Sequence, residues 1–348
     1  MGRTAPHLPF FVIFGTGRSG STLLSDILDL HPDVLSISEF IIGLLAAGLQ
    51  HRDQKISATD FCHILHSANP SRAILVRIGI KLPETRYPFS RNGMRYTEND
   101  PVPFPLYSML PRLTNDPDAL FCDILDHVRL QDGKTAGQHL NAVFQALQLS
   151  CAGKVIVERS GGTLAFHARV RDLLPHARPI VHLRDGTETA LSMRNHSFFK
   201  HFVLRMVMQS QLGYDPYYSR ERTGIAQLDQ QLIDNLPENI TAAHFERLEL
   251  PLRVYGELWS NAIRLGVPLL SQTLPWFDFK ELCTEPERFL RLLSAQLGVS
   301  PWPEWIEKSE QLIAPPRDAV THLSEMDRME LRDACRPGSM LLADLKGT

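Results

Sequence analysis

Cysteine is scarce in this chain: five among 348 residues, at Cys62, Cys122, Cys151, Cys283 and Cys335. They are isolated, odd in number and without Cys-x-x-Cys spacing, which excludes a disulfide framework and a zinc site. Small buried hydrophobes in a reducing compartment are the expectation for all five. An excess of positive charge is also missing. Lys and Arg number 36 against 39 Asp and Glu, a formal net charge of -3, which argues against a dedicated nucleic-acid binder. It does not exclude a small anionic ligand, because local basic clusters need not show in the total. Long hydrophobic runs are absent too. The apolar run 10–14 is far shorter than the roughly 20 residues that cross a bilayer. The polar stretch 1–9 lacks the charged region and apolar core of a signal peptide. A cytoplasmic protein with no membrane span is therefore expected.

What is present begins at that apolar run. Phe10-Phe11-Val12-Ile13-Phe14 suits a buried parallel strand. Gly15-Thr16-Gly17-Arg18-Ser19-Gly20-Ser21-Thr22 follows at once, and then Leu23, Leu24, Ile27 and Leu28 recur at helical spacing. Strand, glycine loop and helix in that order are the context of a phosphate-binding loop. One thing is missing from it. A nucleoside triphosphatase loop would carry lysine after its second glycine, and this chain has Ser21 there. The cation sits inside the loop instead, at Arg18. The backbone N–H groups of residues 17–22 would point at an anion, Ser21 and Thr22 add hydroxyls, and Arg18 can meet an oxygen that gains charge.

Further strands are expected at 34–37, 154–158, 179–183 and 268–273. Helices are expected at 40–49, 58–67, 116–130, 163–174, 186–196 and 285–297, with a mostly helical stretch at 198–265. The Pro-, Arg- and Tyr-rich segment 84–111 reads as a long loop. Alternating strands and helices imply an α/β fold with a central parallel sheet. Arg184 stands at the carboxyl end of the strand 179–183, where open sheets bind ligands, and Ser192 lies on the next helix, so the pair is a candidate for a second phosphate. Glu39 follows the strand 34–37, beside the loop. It is placed either to take a proton as a general base or to cap the helix behind it.

These residues carry a resemblance. Arg18-Ser19-Gly20-Ser21-Thr22-Leu23, Asp29-Leu30-His31-Pro32-Asp33-Val34 and Leu183-Arg184-Asp185-Gly186 through Ser192 are similar to motifs of the sulfotransferases that use 3′-phosphoadenosine-5′-phosphosulfate (PAPS). In motif the chain looks most like the tyrosylprotein sulfotransferase branch and its bacterial relatives. The C-terminal stretch from Pro286 to Trp302 extends the likeness over most of the chain. The resemblance implies that Gly17, Arg18, Ser19, Gly20, Ser21 and Thr22 hold the 5′ phosphosulfate and that Arg184 and Ser192 hold the 3′ phosphate. It implies that Glu39, 21 residues after Arg18, is the base. Where the family has a lysine, this chain has Arg159, implied as a transition-state cation alongside Arg18. Where the family has Tyr-Glu-x-Leu, this chain has Phe279-Lys280-Glu281-Leu282.

The resulting expectation is one domain over 1–348. Residues 10–50 hold the donor loop and base, 50–150 an acceptor-side insertion, 154–200 the 3′-phosphate half, and 200–348 a helical remainder. It would transfer a sulfuryl group from PAPS to a hydroxyl or amine, release adenosine 3′,5′-bisphosphate, and need no metal. A small-molecule kinase and a non-catalytic binding module are the alternatives. The region after Glu39 is apolar (Ile41, Ile42, Leu44, Leu45). A small-molecule, lipid or carbohydrate acceptor therefore fits better than a protein tyrosine, and a homodimer is compatible with all of this. His31 and His182 are expected in the core. Trp276, Trp302 and Trp305 are candidates for stacking on adenine, with core packing the plainer role.

Overall fold

The apolar run after the N-terminal stretch forms strand β1 (Phe10–Phe14), four of its five residues buried, in a computed structural model that describes residues 8–130, 134–315 and 319–347. Most of the segment 1–9 lies outside the described residues. The loop and helix α1 (Ser21–Asp29) lead to β2 (Val34–Ser38) and α2 (Phe40–Ala46). Next come α3 (Ala58–Leu65), α4 (Pro70–Arg77), a π-helical turn (Pro105–Met109), α5 (Leu110–Leu113), α6 (Pro117–Arg129) and α7 (Ala136–Ser150). The second half of the sheet supplies β3 (Val155–Arg159), a 3-10 turn (Thr163–Phe166), α8 (His167–Leu173), β4 (Arg178–Leu183) and α9 (Gly186–Arg194). Helices α10 (Ser197–Leu212), α11 (Gln230–Asp234), α12 (Ala242–Arg247) and α13 (Leu252–Leu270) follow. The last elements are β5 (Trp276–Asp278), α14 (Phe279–Thr284), α15 (Pro286–Leu297), α16 (Pro303–Leu312) and α17 (Glu325–Lys346).

The expected α/β architecture is found. Five strands pair in parallel in the order β2-β3-β1-β4-β5. The period of two along each strand sends alternate side chains to opposite layers. Phe11, Ile13, Val155 and Val157 join α1, α14, α15 and α16 on one face, while Val12, Phe14, Leu35 and Ile37 join the remaining helices on the other. All strands end on one edge, so the segments after β1, β2, β3 and β4 gather there. Among the described residues, no helix is long and apolar enough to cross a membrane.

Three expectations are corrected. Residues 268–273 are not a strand; α13 runs through Pro268 to Leu270. Its buried face, Tyr255, Trp259, Ile263, Gly266, Leu269 and Leu270, keeps helical spacing past the proline, and that packing offsets one lost backbone bond. The fifth strand comes later, at Trp276. The segment 84–111 is not loop throughout. Pro105 stands in the first turn of the π-helical turn, where a missing N–H costs nothing, and Pro111 stands where that turn passes straight into α5. Tyr87, Phe104, Leu106 and Leu110 of this segment are buried in the core. The helix expected at 163–174 is split into the 3-10 turn and α8.

Candidate functional site

The glycine loop turns back on itself by positive φ angles at Gly17 (77°), Arg18 (54°) and Gly20 (84°). At Gly20 the requirement is double: a Cβ there would also lie 2.1 Å from the Phe279 ring, which closes over the loop from the start of α14. Arg18 is held in a conformation that L side chains rarely adopt. Among the described residues one other non-glycine position shares it, Glu39 at 59°. Left-handed backbone at a non-glycine costs on the order of 1–3 kcal/mol and persists where the surroundings impose it, often at functional sites.

Glu39 occupies the cap position of α2, yet its side chain makes no capping bond. Its Oε1 accepts from Arg159 Nη1 at 2.5 Å and from the Gly161 N–H at 3.1 Å. Its own N–H donates to the Arg159 carbonyl at 3.0 Å, continuing the β2–β3 ladder. The carboxylate is thereby turned toward the donor loop. Glu39 shares with Gly17, Arg18, Ser21 and Thr22 the wall of a cavity of about 90 Å³. Ser19 is turned away: it is buried, and its hydroxyl has no hydrogen-bond partner among the described residues.

Arg159 does not face that cavity. It is 4% exposed; Nε donates to Ser25 Oγ at 2.7 Å and Nη1 to Glu39. Its position on β3 aims it beneath α1, between Ser25 and Glu39. Neighbouring Glu158 is fully buried and accepts from the Ile41 N–H at 3.1 Å and from the Ser160 hydroxyl. Burial lifts its carboxyl to about 7; the two hydrogen bonds oppose the rise and the charge of Glu39 adds to it.

The second constellation meets the first. Arg18 Nε donates to Ser192 Oγ at 3.4 Å, across 174 residues. Arg184 stacks over the Phe279 ring at 4.8 Å and donates to Glu188 Oε2 at 2.9 Å. Burial lowers the Arg18 guanidinium from its ordinary value; Glu84 opposes this and the positive charge of Arg184 adds to it, which marks the two cations as neighbours. Arg184, Phe279 and Lys280 also line a separate cleft of about 590 Å³. Burial holds His182 at about 4 and His31 bonds the Ser300 carbonyl at 2.9 Å; both are core residues away from the cavity. Trp305 is buried with its N–H on the Ile27 carbonyl at 2.9 Å, and neither it, Trp276 nor Trp302 lines the cavity.

Sequence reasoning missed Glu84 and His196. Glu84 accepts from Arg18 Nη1 at 3.2 Å and pairs with His196 Nε2. Burial would raise the Glu84 carboxyl, but the hydrogen bond and charge of His196, with Arg18 behind them, hold it at about 2. Both residues line the cavity. His196 follows Ser192 by four residues, but α9 ends at Arg194, so helical spacing gave no signal for it. Glu84 had none.

No protein-family model matches the chain, and no curated protein does. Solved structures similar to it include the sulfotransferase domain of the Synechococcus PCC 7002 olefin synthase (14% identity, TM-score 0.43, covering 100% of this chain and 99% of that one). Sulfotransferase STF9 from Mycobacterium avium is similar at 14% identity and TM-score 0.46, over 98% of this chain and 77% of that one. A sulfotransferase from Alicyclobacillus acidocaldarius is similar at 15% identity and TM-score 0.40, over 97% and 95%. Likenesses this distant do not decide the chemistry of this chain.

Proposed function

We propose that the chain transfers a sulfuryl group from PAPS to a hydroxyl held in the cavity between Arg18 and Glu39. One observation carries the reading. The two non-glycine residues with positive φ among the described residues are the motif cation and the motif carboxylate, and both line the same cavity of about 90 Å³.

In this reading Glu39 takes the acceptor's proton. Arg159 and the Gly161 N–H hold Oε1, so Oε2 is the oxygen that receives it. The acceptor oxygen forms a bond to sulfur as the bond from sulfur to the 5′-phosphate oxygen breaks. Arg18, the hydroxyls of Ser21 and Thr22 and the loop N–H groups stabilise the charge that grows on that leaving oxygen. Arg184 and Ser192 hold the 3′ phosphate, and the departing nucleotide is adenosine 3′,5′-bisphosphate. Arg159 is a positioning residue for Glu39. The acceptor is a small molecule, a lipid or a carbohydrate, since the wall beyond Glu39 is Ile42, Gly43, Phe104 and Tyr107.

Thermal denaturation tests the donor site. Adenosine 3′,5′-bisphosphate at 100 times its Kd should stabilise the protein by about 2.7 kcal/mol. Stabilisation by ATP with Mg²⁺ that exceeds it would sink the reading in favour of a kinase.

A further inference from the structure

The cavity at Glu39 is small. About 90 Å³ is well below the roughly 300–1,000 Å³ of ordinary small-molecule sites, so it takes little more than the end of an acceptor that bears the hydroxyl. The body of the acceptor must lie elsewhere. A second chamber of about 280 Å³ adjoins it, and four residues, Asn69, Arg72, Phe104 and Tyr107, line both. Phe104 and Tyr107 come from the π-helical turn and its first flanking residue. The Arg72 guanidinium of α4 lies over the Tyr107 ring, 3.7 Å from its centroid, and 5.5 Å from the centroid of Phe198. These stacked groups form a waist between the two spaces.

Ala73, Val76 and Leu82 form an apolar side of the chamber, and Thr85, Asn99 and Asp100 add polar groups to its wall. Its charged residues include Lys81 and Glu98, which pair with each other at 3.2 Å and are 87% and 63% exposed, so they mark the rim. A sugar or an acidic peptide would leave the polar groups on its Ala73–Val76–Leu82 side without partners, at a cost of about 1–3 kcal/mol for each unpaired group. Methylene groups would gain from that side.

We propose that this chamber holds the hydrocarbon tail of the acceptor, and that the acceptor is an alcohol carrying an unbranched apolar chain. The hydroxyl passes the Arg72–Tyr107 waist to reach Glu39 while the chain stays among Ala73, Val76 and Leu82. This rests on the reading of the smaller cavity as the reaction site.

The test is isothermal titration of the protein, saturated with adenosine 3′,5′-bisphosphate, with primary alcohols from butanol to decanol. Affinity should rise roughly three- to fourfold per methylene until the chamber is full, then level off. Ala73→Phe and Val76→Phe each fill the chamber from α4 without touching the smaller cavity. Each should abolish the gain for the longer alcohols and leave bisphosphate affinity unchanged; either one suffices if the other does not fold. Affinities that are flat with chain length in the unaltered protein overturn the proposal. So does a chain-length dependence that survives in a folded variant. Failure to bind the bisphosphate contradicts the donor reading, and the proposal falls with it. Bisphosphate binding with flat alcohol affinities contradicts the proposal alone.

Discussion

The Arg159 guanidinium bonds Glu39 Oε1 at 2.5 Å from a side chain that is 4% exposed, on the strand next to the one that ends just before Glu39. A cation so buried fixes a carboxylate; it does not reach out to a ligand. Arg159→Met should lower kcat at least tenfold, with the Kd for adenosine 3′,5′-bisphosphate unchanged. A loss of bisphosphate affinity along with turnover would mean that Arg159 contacts the nucleotide directly. Chemical denaturation should show a loss of about 1–3 kcal/mol, because Ser25 and Glu39 lose a donor.

Glu84 stands on Arg18 where a ligand anion would, at 3.2 Å. Glu84→Gln should tighten bisphosphate binding by roughly fivefold, the worth of a partly exposed ion pair of about 1 kcal/mol. Calorimetry reads this directly, and weaker binding would mean that Glu84 supports the nucleotide instead of competing with it.

The same substitution has a pH signature. With its folded carboxyl held at about 2 against an ordinary 4.5, Glu84 stabilises the fold above pH 4.5, and this is lost as pH falls toward 2. Glu158 acts with the opposite sign. Its folded carboxyl is lifted to about 7 from 4.5, so the native state binds the extra proton and stability falls as pH rises between those values. Denaturation midpoints across pH 3–8 should therefore show a shallower acid limb for Glu84→Gln and a shallower decline from pH 5 to 7 for Glu158→Gln. Unchanged profiles would contradict both assignments.

The sheet was legible where its code is local. β1, the loop and α1 follow from an apolar run, two glycines and a helical repeat within about twenty residues. Arg184 and Ser192 were legible for the same reason, one turn and one helix apart. The link between the two constellations was not, because Arg18 and Ser192 meet across 174 residues. The aim of Arg159 was equally hidden: a strand position gives a side chain's face, and only the packing of α1 and α2 around it decides its partner. The segment 84–111 misled because Pro105 opens a helical turn and Pro111 continues it instead of breaking it. Thr135 with Gln138 is a capping box that announces α7 in the sequence, and Asn69-Pro70 announces α4, yet both helices were unread.

The central claim is that Glu39 moves a proton during transfer from PAPS, and it is tested most directly by incubating the protein with PAPS labelled in the sulfuryl group and a cell extract as the source of acceptor. The unaltered chain should give a labelled product. Glu39→Gln should give it at a rate lower by roughly 10²–10⁴-fold while binding adenosine 3′,5′-bisphosphate as before. A Glu39→Gln protein that labels the product at the full rate would contradict the account.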